Sequence, residues 1–206
     1  MGNMAREQAL QREDIVARAA QLFSERGYAA TSLRDIMDGF DATGPAFYYY
    51  FDSKGDILVE IIDGALDDAD EALDRLIEDP ELTAATRFLK AMVSHANMVW
   101  GNLTAARVLF VENGITSAKK SENIRLRMQN YAKRLSALYE EGAAEGVLVD
   151  HNPRMVTSLI IGMANWGAFW VDGGTDREAL LDLFEGLVHG AVREGGAELL
   201  NESRDF

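Results

Sequence analysis

Cysteine is absent from the 206 residues, which removes disulfides and thiolate metal sites. No charged-then-apolar leader opens the chain, and no stretch approaches the roughly 20 apolar residues that span a bilayer. A soluble, cytoplasmic protein is therefore expected, with no part in a membrane. Catalytic signatures are missing too: there is no Gly-x-Ser-x-Gly, no Gly-rich phosphate loop and no His-Glu-x-x-His. His95, His151 and His189 lie far apart in sequence, with none at the i, i+4 spacing of a metal pair. No enzyme chemistry, cofactor or metal is expected. No strand-period segment of useful length, internal repeat or low-complexity tract occurs.

The net charge of −14 excludes a generic polyanion binder. Its distribution is uneven. Residues 1–34 set Arg6, Arg12, Arg18, Arg26 and Arg34 against Glu7, Glu13, Asp14 and Glu25. Acidity gathers later, in Asp63, Asp67, Asp68, Asp70, Glu71 and Asp74, a run that reads as a solvated helix face.

Apolar spacing is helical throughout. Ile15, Ala19, Leu22 and Phe23 follow i, i+4, i+7, i+8, and Leu180, Leu183, Phe184, Leu187, Val188 and Ala191 repeat that stripe. The expected fold is all-α, with about nine helices over 10–26, 33–39, 44–50, 54–77, 81–100, 102–114, 118–145, 153–171 and 175–195. Of the three prolines, two punctuate: Asp79-Pro80 and Asn152-Pro153 each look like a cap and a first helical residue. Ser32 with Asp35, Ser53 with Asp56, and Thr175 with Glu178 have capping-box spacing. Glycine breaks fall at Gly27, Gly142 to Gly146, Gly173-Gly174 and Gly195-Gly196.

Two very short helices between longer ones are the most informative feature. Gly27 can close the first helix, Ser32 opens one carrying Leu33, Ile36 and Met37 inward, and Thr43 opens another with Pro45 in its first turn. Helix, tight turn and helix form a helix-turn-helix, whose second helix enters the DNA major groove. The residues Ile15 to Tyr28, with Leu22-Phe23 and Gly27-Tyr28, then Thr31 to Ile36, then Phe47-Tyr48-Tyr49-Tyr50-Phe51-Asp52-Ser53-Lys54, resemble the TetR family. That resemblance implies a DNA-binding domain over 9–69, with its motif at about 32–51, and a ligand-binding and dimerisation domain over 70–206. Thr43, Gly44, Pro45 and Ala46 are then expected to face the bases, where small apolar groups can pack on thymine methyls. Tyr48, Tyr49, Thr31, Ser32, Arg34 and Lys54 are expected on phosphates. Phe47 and Phe51 are expected in the small core, and Tyr50 as the inward ring of the three tyrosines. This chain departs from the family pattern at Met37, Phe40, Asp41 and Gly44, and its first 60 residues carry six basic against ten acidic groups. A shallow salt slope per subunit follows.

The resemblance also implies a homodimer on an inverted-repeat operator, joined through the last two long helices. Met155, Leu159, Ile160 and Met163 on one and Leu183, Leu187 and Val188 on the other are the candidate interface. Phe88, Met92, Val99, Trp100, Leu103, Phe110, Met128, Tyr131, Leu135 and Tyr139 are candidate walls of a cavity for a small hydrophobic or aromatic effector. His95, Arg107 and Asn113 are candidates to orient it. Ile161 to Trp166, with Trp170 and Gly173-Gly174, resembles TetR regulators that respond to acyl-coenzyme A thioesters. In that reading Asn165, Trp166, Phe169 and Trp170 share one side of a helix, and Arg107, Lys119, Lys120, Arg125 and Arg127 supply cations. The expected function is a ligand-responsive repressor. The alternatives are a ligand-binding or adaptor protein of the same fold without DNA binding and, more remotely, an enzyme.

Overall fold

The computed structural model describes residues 11–38, 40, 44–111 and 118–192, without the side chains of residues 44–46, 108, 110, 111 and 118–121. Those residues form nine α-helices: α1 (Arg12–Arg26), α2 (Leu33–Met37), α3 (Gly44–Tyr50), α4 (Lys54–Glu78), α5 (Ala84–Gly101), α6 (Leu103–Val111), α7 (Ala118–Ala144), α8 (Pro153–Trp166) and α9 (Arg177–His189). A 3₁₀ turn over Gly167–Phe169 follows α8. The all-helical architecture is as expected.

Local chemistry explains the ends. Ser32 accepts from the Asp35 amide at 3.1 Å while the Asp35 carboxylate takes the Ser32 amide at 2.7 Å, the reciprocal box expected there. Asn152 caps α8 ahead of Pro153 as expected, its side chain accepting from the Met155 amide at 3.0 Å. Gly27 closes α1 at φ +84° and ψ 154°, a positive-φ extended state that only glycine adopts cheaply.

Three expected caps are displaced. Ser53 precedes α4, but its hydroxyl bonds the Asp56 carboxylate at 2.9 Å instead of a backbone amide. Thr175 turns back to Asp172, leaving Asp176 to cap α9 through the Ala179 amide at 3.1 Å. Asp79 ends α4 rather than starting α5. Thr83 caps α5, and the Glu145 carboxylate adds long-range acceptors for the Ala84 and Ala85 amides at 3.1 and 3.3 Å. The eighth helix is also shorter than expected, because the backbone tightens into the 3₁₀ turn after Trp166.

Two apolar clusters form the core. The smaller joins α1 to α4 around Ile15, Leu22, Phe23, Ile36, Phe47, Phe51, Ile57 and Leu58, and it also takes in Ala105 of α6 and Ile124 of α7. The larger joins α5, α7, α8 and α9 around Phe88, Leu135, Tyr139, Trp100 and Phe184. Helix α4 runs unbroken from one cluster to the other, through the expected boundary at residue 69.

The acidic run of α4 divides by face. Arg127 of α7 meets Asp67 at 2.7 Å, Asp70 at 3.1 Å and Asp63 at 3.4 Å, while Arg134 meets Asp70 at 3.4 Å and also Asp74. Asp68 and Glu71 stand in solvent. Four of the six are thus a ladder between helices rather than a solvated face. Burial raises the Asp63 pKa, with Arg127 opposing it.

Candidate functional site

Helices α2 and α3 present one end of the molecule to solvent. The α3 register turns Phe47 into the core while Tyr48 and Tyr49 stand 63% and 83% exposed. Tyr50 is half-buried against the same core and meets Tyr49 edge-on, so it is the inward ring of the three. Phe51 is buried too, under the Arg12 guanidinium at 4.1 Å. Arg12 also grips Glu60 and donates to the Tyr50 carbonyl, tying α1 to the α3–α4 junction. Arg34 is exposed on the neighbouring helix, and so is Ser32, but the Ser32 amide and hydroxyl both donate to the Asp35 carboxylate, so it has no donor left for a phosphate. Gly44, Pro45 and Ala46 form the first turn of α3, and Thr43 lies outside the described residues.

Two further expected phosphate contacts are otherwise engaged. Thr31 is 1% exposed, its hydroxyl donates to the Gly27 carbonyl at 2.8 Å, and its amide donates to Tyr28, so it offers no group outward. The Lys54 ammonium donates to the Tyr28 and Thr31 carbonyls at 2.6 Å each and lies 4.1 Å from the centre of the Tyr28 ring. The carbonyls after α1 need a donor, and Lys54 supplies it. It clamps α4 against the α1–α2 turn, a role that motif spacing alone could not separate from phosphate contact.

A cavity of about 180 Å³ lies among α4, α5, α6, α7 and α8. His95, Val99, Tyr131, Met128 and Asn165 line it as expected among the cavity candidates. Sequence reasoning missed Ile62, Ala65, Leu66 and Ala69 of α4, Met98 and Asn102, Ala105, Ala106 and Leu109 of α6, Ala132 and Ile161. Their signal was small size: five alanines facing one another leave the space that larger side chains would fill.

Several candidate ligand contacts stand elsewhere. Met92, Phe88, Leu135 and Tyr139 are fully buried core. Trp100 packs edge-on to Phe184 and donates its indole N–H to the Ala164 carbonyl at 2.8 Å. Arg107 is held by the Ala168 and Val171 carbonyls at 2.7 and 2.9 Å, where it caps the end of the 3₁₀ turn. Trp166, Phe169 and Trp170 are 64%, 47% and 50% exposed on the outer surface, Trp166 because successive residues of α8 point to different sides and the other two beyond the tightened turn. Arg125 pairs with Glu122 and Arg127 with the α4 carboxylates. Phe110, Lys119 and Lys120 have no described side chain, and Asn113 lies outside the described residues.

The cavity's polar groups form one cluster. The His95 Nε2 lies 3.0 Å from Asn165 Oδ1; since that oxygen only accepts, Nε2 carries the proton and Nδ1 is bare and unpartnered. The His95 and Tyr131 rings sit 5.7 Å apart. Burial pushes the His95 pKa below its ordinary 6.5, against the opposing bond to Asn165, and burial raises that of Tyr131, helped by nearby Asp70. The folded chain therefore refuses a proton that the unfolded chain accepts below about pH 6.5. Stability present above that pH is lost as pH falls. Wild type should lose more stability than His95→Gln between about pH 7.5 and about pH 5.5, by up to roughly 1.4 kcal/mol per unit. Thermal melts at both pH values test this; parallel losses would reject it.

On the α8–α9 side, Met155, Leu159, Met163, Leu183 and Leu187 are 64%, 72%, 39%, 62% and 56% exposed. Ile160 is half-buried. Val188 is not part of that surface: it is 1% exposed and belongs to the core of its own chain. No described helix is long and apolar enough to cross a membrane.

Residues 15–61 match the description "Bacterial regulatory proteins, tetR family", and residues 81–192 match "Tetracyclin repressor-like, C-terminal domain". The HTH-type transcriptional repressor KstR2 of Rhodococcus jostii (strain RHA1) is 44% identical over 57 residues, a stretch that spans 28% of this chain and 28% of that relative. A TetR/AcrR-family transcriptional regulator from Thermobifida fusca YX-ER1 is 33% identical, covering 89% of this chain and 98% of its own, with a TM-score of 0.73. The crystal structure of AibR with isovaleryl coenzyme A and operator DNA shares the fold at 22% identity and a TM-score of 0.74, over 85% of this chain and 96% of that one. These are descriptions of regulators rather than enzymes. The two family matches, one over the helix-turn-helix and one over more than half of the chain, show that it belongs to the TetR family of bacterial transcriptional regulators.

Proposed function

We propose that the protein is a ligand-responsive repressor that binds an inverted-repeat operator as a homodimer and is released by a small hydrophobic effector. The observation that carries this reading is the reach of α4. At its start Lys54 holds the helix-turn-helix, and Ile62, Ala65, Leu66 and Ala69 farther along form one wall of the cavity. An effector between α4 and α6 that fits a shifted α4 better than the DNA-bound one favours the shifted state by that difference in affinity. A tilt of α4 changes the spacing of the two recognition helices. In this reading residues 9–69 bind DNA, and residues 70–206 bind effector and partner.

Thr43 to Ala46 lie at the base edges, and Tyr48, Tyr49 and Arg34 hold phosphates. Tyr48→Phe and Tyr49→Phe are each expected to weaken operator binding about 3- to 10-fold, the worth of one hydrogen bond, without lowering the melting temperature. Gel shifts on the inverted repeat beside the protein's own gene measure it, and unchanged affinity in both would remove the tyrosines from the interface.

AibR binds an acyl-coenzyme A. Here Arg107, Arg125 and Arg127, three of the cations suited to such a cofactor's phosphates, are engaged within the chain. An uncharged hydrophobic or aromatic effector therefore suits the cavity better. A second reading, a ligand-binding protein of this fold that has lost DNA binding, is favoured by the six basic against ten acidic groups of the first 60 residues. No shift of operator DNA even at low salt would establish it.

A further inference from the structure

The cavity wall is hydrocarbon except at Asn102 and at one polar cluster. Apart from Asn102, every lining residue outside the His95–Asn165–Tyr131 cluster is Ile, Leu, Val, Met or Ala, and no lysine, arginine or carboxylate is among them. Within that cluster the hydrogen bonds are unevenly spent. Asn165 uses Oδ1 on His95, while its Nδ2 amide has no partner among the described residues. The Tyr131 hydroxyl likewise has none, and burial keeps it a protonated phenol. Both groups line the cavity, and a phenol or amide kept from water without a partner costs about 1–3 kcal/mol, so each favours an acceptor brought into that space. Two hydrogen-bond donors thus flank an imidazole that packs on one and bonds the other.

We infer that the effector is an uncharged carbonyl compound whose oxygen accepts from Tyr131 and Asn165 while its hydrocarbon part fills the space lined by α4 and α6. This rests on the effector site proposed above. A carbonyl oxygen has two acceptor lone pairs and no proton of its own, so it serves both donors and brings no donor that needs a partner. A hydroxyl would bring a proton with no acceptor in reach: the Asn165 oxygen is taken by His95, and the bare His95 Nδ1 is sealed within the protein. A carboxylate would enter without a cation to meet it, at a desolvation cost of several kcal/mol. Size narrows the class further. A dry apolar cavity of about 150 Å³ holds a benzene, so about 180 Å³ suits a single ring or short branched chain with its carbonyl.

Acetophenone, ethylbenzene and benzoate share one ring and differ in the group the cluster reads. Titration calorimetry of the full chain should show acetophenone binding about 10-fold or more tighter than ethylbenzene, the worth of one good hydrogen bond, and no saturable binding of benzoate. In Tyr131→Phe, which keeps the ring, acetophenone should weaken about 5- to 10-fold while ethylbenzene binds as before; the second measurement shows that the cavity is intact. If ethylbenzene binds wild type as tightly as acetophenone, the carbonyl is not read, although the effector site stands. If benzoate binds best, the charge argument fails. If none of the three binds, both this inference and the effector site fall.

Discussion

Replacing Leu159 and Leu187 together with glutamate is expected to yield a monomer that binds the operator about 100-fold more weakly, or worse. Both side chains are more than half exposed on the isolated chain, beside Met155, Met163 and Leu183, on adjacent helices that turn their other faces into the core. Single exposed leucines are ordinary, but five large apolar side chains on two neighbouring helices form a patch of the kind that the proposed homodimer would cover. Each fully covered leucine is worth about 1.5–3 kcal/mol, and a buried, unpaired glutamate adds a further cost. One recognition helix reads only a few base pairs, so in the proposed dimer operator affinity depends on two copies held about 34 Å apart or at a multiple of that spacing. Because both positions face solvent in one chain, the circular dichroism spectrum should not change. Light scattering after size exclusion reads the mass and a gel shift reads the affinity. A variant that stays dimeric would move the interface elsewhere, and a monomeric wild type would remove it.

The helices were legible because their signals are local. The stripe Ile15, Ala19, Leu22, Phe23 buries as its spacing demands, and the Ser32–Asp35 box forms because both partners sit within one turn. The errors fall where the partner is remote. Nothing near Thr83 announces that Glu145 will reach the first amides of α5, nor does the sequence near Lys54 show that two carbonyls of the α1–α2 turn will claim its ammonium. The cavity was misread for a related reason. Large side chains such as Met92 and Trp100 were its natural candidates, yet they fill space, and the void is made by Ala65, Ala69, Ala105, Ala106 and Ala132. Only the packing of α4, α6 and α7 decides which alanines face one another. The polar end was within reach, because His95 and Asn165 are unusual on otherwise apolar helix faces. Their pairing across 70 residues was not.

The same packing makes Gly167→Ala one of the most damaging single-methyl changes in the chain, with an expected loss of about 3 kcal/mol or more. A methyl group built on Gly167 would lie 2.0 Å from the Trp100 indole nitrogen and within 2.9 Å of two ring carbons. Trp100 has nowhere to retreat. Its ring is 3% exposed, packs edge-on to Phe184 and is anchored through its N–H to the Ala164 carbonyl. Overpacking of this kind costs about 1–3 kcal/mol, and a buried indole N–H torn from its acceptor costs about as much again. At about 2–4 °C per kcal/mol for a chain of this size, the melting temperature should fall by roughly 6–12 °C. Gly64→Ala provides the contrast, since a methyl there meets nothing within 4 Å on the exposed face of α4. Helix propensity alone then predicts a gain of roughly 0.5–1 kcal/mol. Thermal melts of the two variants should move in opposite directions. The consequence of Gly167→Ala extends to the cavity, because the end of α8 that must yield carries Asn165 two residues before Gly167. Acetophenone affinity should therefore drop along with stability in Gly167→Ala and hold in Gly64→Ala. A Gly167→Ala protein that melts within a degree of wild type would mean that Trp100 does not sit against α8 as described.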